Sequence, residues 1–179
     1  MSTPYPGITQ WVVPHAVRRS TLDGVRPAGL RGDESGAFWL GVRADVAAVT
    51  AVVLPRGKGV EETPSHWRVA PEVFGAISRW AQPQGLTLLG IAHTHVHGVP
   101  VRLSWADRHQ SVRVPGILAV VIGDGGQDED HFGWGWYVYD KGDYREILRT
   151  ELKRRVRESR TDAVGVWRAD SDGVWQVTR

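Results

Sequence analysis

Short apolar runs, separated by polar and glycine-containing segments, predict a protein built largely from β-strands. Several of these runs are rich in β-branched residues, which favours strands over short buried helices. The unbroken apolar run at 116–123 predicts a central strand that is buried on both faces. The predicted strands are 10–13, 34–41, 47–54, 87–92, 116–123 and 132–139, of which the second and third are expected to pair as a hairpin.

Helical periodicity is clearest between positions 71 and 81, where apolar residues recur at the spacing that lines one face of a helix. Pro71 suits the first turn of that helix, because its missing N–H would have no helical partner there. Further helices are predicted at 15–22, 104–112 and 144–157, and loops at 24–32, 56–65 and 124–130.

The C-terminal segments 163–168 and 174–178 read as two strands, with a turn signal at Asp172 and Gly173 between them. They are expected to form a hairpin. Together with the preceding elements they predict one α/β domain over residues 1–179, with a mixed, hairpin-rich sheet and helices packed on it.

Composition places the chain among folded globular proteins, since 41% of its 179 residues are hydrophobic and 23% are charged. It contains no cysteine, which excludes disulfides, thiolate nucleophiles and cysteine-ligated zinc. No apolar run approaches a membrane span, and the first residues lack the basic-then-apolar order of a secretion signal. We therefore expect a cytoplasmic protein without a membrane partner.

Charge changes this picture little, because the formal net charge is only +2. Basic residues cluster at 153–157, with Arg160 after them. On a helix such a cluster is more often a solvated face than a nucleic-acid contact, so no nucleic-acid partner is expected. A metal-dependent nuclease that uses this cluster to hold phosphates is an alternative, and it predicts salt-sensitive binding of DNA or RNA.

Residues with metal-ligand chemistry are concentrated directly after the predicted strand 87–92. Because side chains alternate along a strand, His93, His95 and His97 would point to the same side. Asp107 in the next element would add a carboxylate, and such a set with one open position suits a catalytic zinc. The pattern from Ser104 to Asp107 also fits a helix capping box, which would hold the carboxylate in place.

The combination of Glu34 before an apolar strand, His93-x-His95 after a later strand, and Ser104-x-x-Asp107 resembles the JAMM zinc metalloprotease family, also called MPN-plus or JAB-domain proteins. The linked motifs in this order are far more specific than any one of them. The resemblance implies one zinc ion held by His93, His95 and Asp107 with a catalytic water.

The resemblance covers roughly positions 8–140 and leaves a C-terminal helix and hairpin at 144–179 outside it. It implies the MPN fold, a cytidine-deaminase-like single domain with a mixed, curved β-sheet and flanking helices.

One departure from the family pattern lies in the spacer. Eight residues, starting with Val96, separate His95 from Ser104, whereas the family has seven that commonly start with proline. Pairing His95 with His97 instead would leave six. One inserted loop residue is easier to absorb than a deletion, so we prefer the pair His93 and His95 and leave His97 as a spare.

The chemistry of these residues is that of a hydrolase. A zinc ion would acidify its bound water and polarise a scissile carbonyl. Glu34 is a carboxylate that could take the proton of the water and pass it to the leaving amine. Ser104 could donate a hydrogen bond to the developing oxyanion. Other candidates for the base, placed after the predicted hairpin, are Glu61, Glu62 and Glu72.

What the resemblance implies about the substrate is narrower. Active family members cleave peptide or isopeptide bonds after the C-terminal glycine of ubiquitin or ubiquitin-like proteins. Stand-alone bacterial members act with activating and conjugating enzymes, some in antiphage systems. We therefore expect a ubiquitin-like substrate with a Gly-Gly tail, bound in a narrow slot that is flanked by a pairing edge at 57–67.

Two further alternatives remain at this level. One is a catalytically inactive MPN-type scaffold, which would have no need of the intact glutamate, histidines, serine and aspartate. The other is a zinc amidohydrolase that acts on a small amide or on a sulfur-carrier adduct with the same zinc-bound water.

Overall fold

The computed structural model describes residues 7–160 and 164–177. Within these residues no helix is both long and apolar enough to cross a membrane. In chain order the elements are β1 (Gln10–Val12), α1 (His15–Gly29), β2 (Gly36–Val42), β3 (Val46–Pro55), β4 (Val60–Thr63), β5 (His66–Val69), α2 (Pro71–Ala81), β6 (Thr87–Thr94), α3 (Trp105–Gln110), β7 (Leu118–Ile122), β8 (Gly135–Asp140), β9 (Asp143–Glu146), α4 (Arg149–Arg155), β10 (Val156–Arg157), β11 (Gly165–Asp170) and β12 (Gly173–Gln176).

One mixed sheet runs in the order β10, β1, β3, β2, β6, β7, β8 and β9. β3 is long enough to pair in parallel with β1 through its first residues and with β11 through its last. β6 lies in the middle, antiparallel to β2 and parallel to β7. The pairing register shifts within β2 between Trp39 and Gly41, and such irregularities bend a strand and increase its twist. The fold is therefore mixed α/β, with a curled sheet and flanking helices, as expected.

The core is divided between the two faces of this sheet. Because successive side chains of β2 point to opposite faces, Trp39 packs with residues of α1 and Phe38 packs with residues of α2. Trp39 is fully buried, and its Nε1 donates a hydrogen bond of 2.9 Å to Thr21 Oγ1 of α1. A partner for this indole N–H is needed because an unpaired polar group in the core is costly.

The predicted helix at 71–81 coincides with α2, and all six predicted sheet strands are present with shifted ends. The first helix, however, extends well past its predicted end. The prediction of a loop at 24–32 is wrong for most of that range, because α1 continues to Gly29 with Pro27 inside it. Val25 and Ala28 are buried, so packing of the helix outweighs the helix-breaking tendency of its proline.

The glycines of α1 lie where other elements approach the helix closely. A Cβ on Gly24 would lie 2.5 Å from the Leu54 side chain, and one on Gly29 would lie 1.8 Å from the Gly125 carbonyl oxygen. These glycines therefore permit close packing within a helix, in a range that had been predicted as a loop.

Two other segments differ from the prediction. The expected loop at 56–65 contains β4, which pairs with β5 as a separate two-stranded sheet. The expected helix at 144–157 is instead β9, α4 and β10. Four apolar residues suggested this helix. Three of them reach the core from different places: Ile147 precedes α4, Leu152 lies within it and Val156 lies in β10. The fourth, Leu148, is exposed.

The C-terminal hairpin forms as predicted from β11 and β12, with antiparallel pairing between them. The predicted strand ends at 163 and 178 lie outside the described residues.

Candidate active site

The carboxyl end of β6 brings two histidines into the middle of the sheet. His93 pairs with Gly36 of β2 on one side and with Val121 of β7 on the other. This central position leaves His93 7% and His95 4% exposed. Their Nε2 atoms lie 3.3 Å apart, as expected for alternate residues that point to one side of a strand.

Asp107 reaches these histidines from the first turn of α3. Ser104 caps this helix: its Oγ accepts a hydrogen bond of 3.1 Å from the Asp107 backbone N–H, and its own N–H donates one of 2.7 Å to Asp107 Oδ2. The predicted capping box is therefore present. It holds the carboxylate with Oδ1 3.4 Å from His93 Nε2 and Oδ2 3.5 Å from His95 Nε2.

Each of the three residues His93, His95 and Asp107 offers one ligand atom, and these atoms lie within 4.8 Å of one another. The His95 Nδ1 is 2.8 Å from the Pro100 carbonyl oxygen. A proton on Nδ1 would be donated to that carbonyl, which leaves the Nε2 lone pair facing the other two ligand atoms. The group could therefore hold a metal ion, and two imidazoles with one carboxylate fit zinc.

Burial and hydrogen bonds act in opposite directions on the pKa values of Asp107 and His95. Burial alone would raise the pKa of Asp107, but hydrogen bonds with His93 and His95 outweigh it and hold the pKa well below its usual range. Burial lowers the pKa of His95, whereas its bonds to Asp107 and to the Pro100 carbonyl raise it, and the net shift is upward. A bound metal ion would replace the imidazole protons as the positive charge that balances the buried Asp107 carboxylate.

Glu34 stands just ahead of β2, and β2 begins beside the end of β6. The residue is 8% exposed, and its backbone N–H donates a hydrogen bond of 2.8 Å to the Thr63 carbonyl of β4. Burial raises the pKa of the Glu34 carboxyl, while His95 and His93 partly offset the rise. Glu34 lines one cleft together with His93, His95, Ser104 and Asp107.

This cleft has a volume of about 440 Å³ and runs over the sheet between β5 on one side and α3 on the other. Phe38, Ile91 and Ala119 come from adjacent strands and form its floor. Val69 and Phe74 add apolar surface on one side. The histidines and Asp107 therefore lie beside an apolar floor and an apolar side wall.

The other sequence candidates lie elsewhere. The side chain of His97 is 92% exposed, and its Nδ1 is 2.6 Å from Asp124 Oδ1. Neither His97 nor any residue of the basic cluster at 153–160 lines the cleft.

The alternative bases also lie outside the cleft. Glu61 pairs with Arg68 and His66, Glu62 pairs with two arginines, and Glu72 is exposed on α2.

Sequence reasoning missed the residues that support this site. Ser35 and Thr94 are both fully buried and hydrogen-bonded to each other, so they join the Glu34 segment to the strand of the histidines. Their positions next to motif residues were the available signal. β5 was not predicted as a strand, because 66–69 lay unassigned between the predicted loop at 56–65 and the predicted helix at 71–81, although a pairing edge was expected at 57–67.

No protein-family model and no curated protein matches this chain. Among solved structures it is similar to protein DSY2949 from Desulfitobacterium hafniense, with 16% identity and a TM-score of 0.60 over 85% of this chain and 94% of that one. It also matches AF2198, a JAB1/MPN domain protein from Archaeoglobus fulgidus, with 17% identity and a TM-score of 0.42 over 80% and 98% of the two chains. The first likeness is one of fold alone, and the second is too weak to carry an argument.

Proposed function

We propose that this chain is a zinc-dependent peptidase of the JAMM type, which cleaves the peptide or isopeptide bond after the C-terminal glycine of a ubiquitin-like protein. The observation that carries the proposal is that Glu34, the two histidines, Ser104 and Asp107, which are distant in sequence, line one cleft. An assembly scaffold would have no use for this set. In the cell the reaction would mature a modifier or remove it from targets, beside activating and conjugating enzymes in a bacterial cytoplasm, such as those of an antiphage system.

The residues of the chain divide the work as follows. When bound by His93, His95 and Asp107, zinc would supply Lewis acidity to a water and to the scissile carbonyl. Glu34 takes a proton from the attacking water and delivers it to the departing amine nitrogen as the C–N bond breaks. Ser104 lines the cleft beside Asp107, and its hydroxyl donates a hydrogen bond to the developing oxyanion.

β5 is placed to pair with an extended substrate tail. It lines the cleft through His66, Trp67, Arg68 and Val69, and among the described residues it pairs only with β4. Its second edge can therefore accept an added strand, whose backbone would supply most of the hydrogen bonds. This edge falls at the end of the segment 57–67, where sequence reasoning expected one.

The volume and apolar lining of the cleft favour a second candidate, a zinc amidohydrolase for small amides or for a sulfur-carrier adduct. A volume of about 440 Å³ with apolar walls is typical of small-molecule sites. The nuclease alternative lacks such support, because the basic cluster lies away from the cleft and part of it packs on aromatic rings. Lys153 Nζ lies 5.5 Å from the centre of the Phe132 ring, and the Arg155 guanidinium lies 5.3 Å from that of Trp11.

The deciding experiment incubates the zinc-loaded chain with ubiquitin-like proteins that carry an extension after Gly-Gly, and in parallel with small acyl anilides. Cleavage after the glycine that is abolished by His95→Ala and by a chelator, and that Glu34→Gln lowers to a small residual rate, supports the peptidase. His97→Ala is the matched control and should retain activity, because that side chain lies outside the cleft. Hydrolysis of anilides alone would favour the second candidate, and a chain that binds no zinc would contradict both.

A further inference from the structure

The residue that follows Glu34 is held on two sides. Ser35 is fully buried, and its Oγ donates a hydrogen bond of 2.7 Å to Glu62 Oε1 of β4. Its backbone N–H donates one of 2.9 Å to Thr94 Oγ1, and its carbonyl accepts one of 2.8 Å from the Thr94 N–H. Thr94 is the residue between His93 and His95. Ser35 thus joins the start of β2 to the two histidines and to the hairpin of β4 and β5.

Glu62 is itself fixed in place by two cations. Its Oε2 lies 3.2 Å from Arg31 Nη2, and its Oε1 lies 3.2 Å from Arg56 Nη1. Arg56 is anchored in turn, because its guanidinium donates hydrogen bonds to the carbonyls of Gly24 and Gly36. The carboxylate that receives the Ser35 hydroxyl therefore has little freedom to move.

Neither Glu62 nor Ser35 lines the cleft, so neither can touch a substrate there. Their contacts instead bear on Glu34. Its backbone N–H is bonded to Thr63, the neighbour of Glu62 on β4, and its carboxyl is attached one residue before the pinned Ser35. A rotation of the Ser35 backbone would move the Glu34 carboxyl relative to the histidines.

We propose that Glu62 is a positioning residue, which acts through Ser35 and Thr94 to set the place of the Glu34 carboxyl relative to His93 and His95. This inference rests on the proposed function, in which Glu34 is the base. β4 would then have two roles. It pairs with β5, which forms one wall of the cleft, and it holds Glu34 in position.

The test compares Ser35→Ala and Glu62→Gln with wild type as zinc-loaded proteins. Glu72→Gln is the matched control, because it makes the same change of charge at an exposed acid of α2 that does not line the cleft. We expect the first two variants to bind one zinc ion and to lose about 10- to 100-fold in kcat with KM within about twofold, as a misplaced catalytic group predicts. The control should match wild type.

Two further measurements separate positioning from general damage. In a Glu34→Gln background, Ser35→Ala should cause no additional loss of residual kcat, because it acts only through the missing base. Backbone hydrogen exchange of Glu34 and Thr94, which donate within this network, should accelerate at least tenfold in Ser35→Ala and in Glu62→Gln but not in Glu72→Gln.

Each outcome is informative. Wild-type kcat and exchange in Ser35→Ala and Glu62→Gln would overturn the inference, as would a loss of kcat that persists undiminished in the Glu34→Gln background. If wild type hydrolyses no amide at all, the proposed function fails, and the exchange rates alone then decide whether Glu62 orders the Glu34 segment.

Discussion

The end of α1 lies against the loop that follows β7, and Gly29→Ala tests how strongly this contact constrains the fold. A Cβ on Gly29 would lie 1.8 Å from the Gly125 carbonyl oxygen, and real Cβ atoms essentially never come within 3.0 Å of a heavy atom. Because both partners are backbone, no side-chain rotation can relieve the clash. The Gly125 N–H also donates a hydrogen bond of 2.8 Å to the His95 carbonyl, so any displacement reaches the candidate metal ligands.

The size of the effect follows from three opposing contributions. Alanine is the better helix former and would stabilise a helix by about 0.5–1 kcal/mol relative to glycine. Overpacking costs about 1–3 kcal/mol, and weakening of the bond to His95 costs about 1 kcal/mol more. We therefore expect a net loss of about 1–3 kcal/mol, which lowers Tm by roughly 2–12 °C in a protein of this size.

Thermal and urea denaturation of the metal-free protein measure this loss, with Gly75→Ala in α2 as the matched helix control. A Cβ on Gly75 would meet only the flexible end of Arg79, at 3.2 Å, so the control should gain up to about 1 kcal/mol. If Gly29→Ala is as stable as wild type while Gly75→Ala behaves as expected, the close approach of α1 to Gly125 does not limit the fold.

Three further predictions follow. Ser104→Ala removes the cap that holds Asp107 and should weaken zinc binding by about 10- to 100-fold in competition with a chromophoric chelator, with a stability loss of about 1 kcal/mol. Trp39→Phe removes the buried bond to Thr21 and should cost about 1–3 kcal/mol in urea unfolding, whereas an unchanged midpoint would refute this. Burial lowers the pKa of His131 below its ordinary value of 6.5, so its imidazole binds a proton more readily in the unfolded chain than in the folded protein. The free energy of unfolding should therefore decrease as the pH drops below about 6.5, and His131→Gln should reduce this pH dependence.

Much of the fold could be predicted from the sequence, since the strands around the site are unbroken apolar runs and α2 has clear periodicity. The failures have a common cause. Local signals at Gly24, Gly29 and Pro27 indicate a turn, but tertiary packing keeps the helix intact through them. Likewise, the helical spacing of Ile147, Leu152 and Val156 arises by coincidence, because the residue after β9, α4 and β10 each place one apolar side chain in the core.

The residues of the candidate site could be recognised from the motif pattern. The hydrogen bonds that hold them in place could not be predicted from the sequence. The link from Ser35 to Glu62 joins positions 27 residues apart, and that from Ser35 to Thr94 joins positions 59 apart. No periodicity connects such positions. They become neighbours only through the pairing of β2 with β6 and the folding of β4 and β5 beside them. β4 had been predicted as part of a loop, and β5 had not been predicted as a strand.

Topology also explains why the candidate base precedes the candidate metal ligands in sequence and why the length of the spacer before Ser104 can vary. In the antiparallel pair of β2 and β6, the start of β2 lies beside the end of β6, so Glu34 must come before β2 to reach His93. An acid after β2, a strand of seven residues, would begin roughly 20 Å away.

At the other end of the site, His95 is fixed by its bond to the Ile122 carbonyl, and Asp107 by its cap. Because both ends of the spacer are held independently, one additional residue lengthens the loop between them and leaves the ligand atoms where they are.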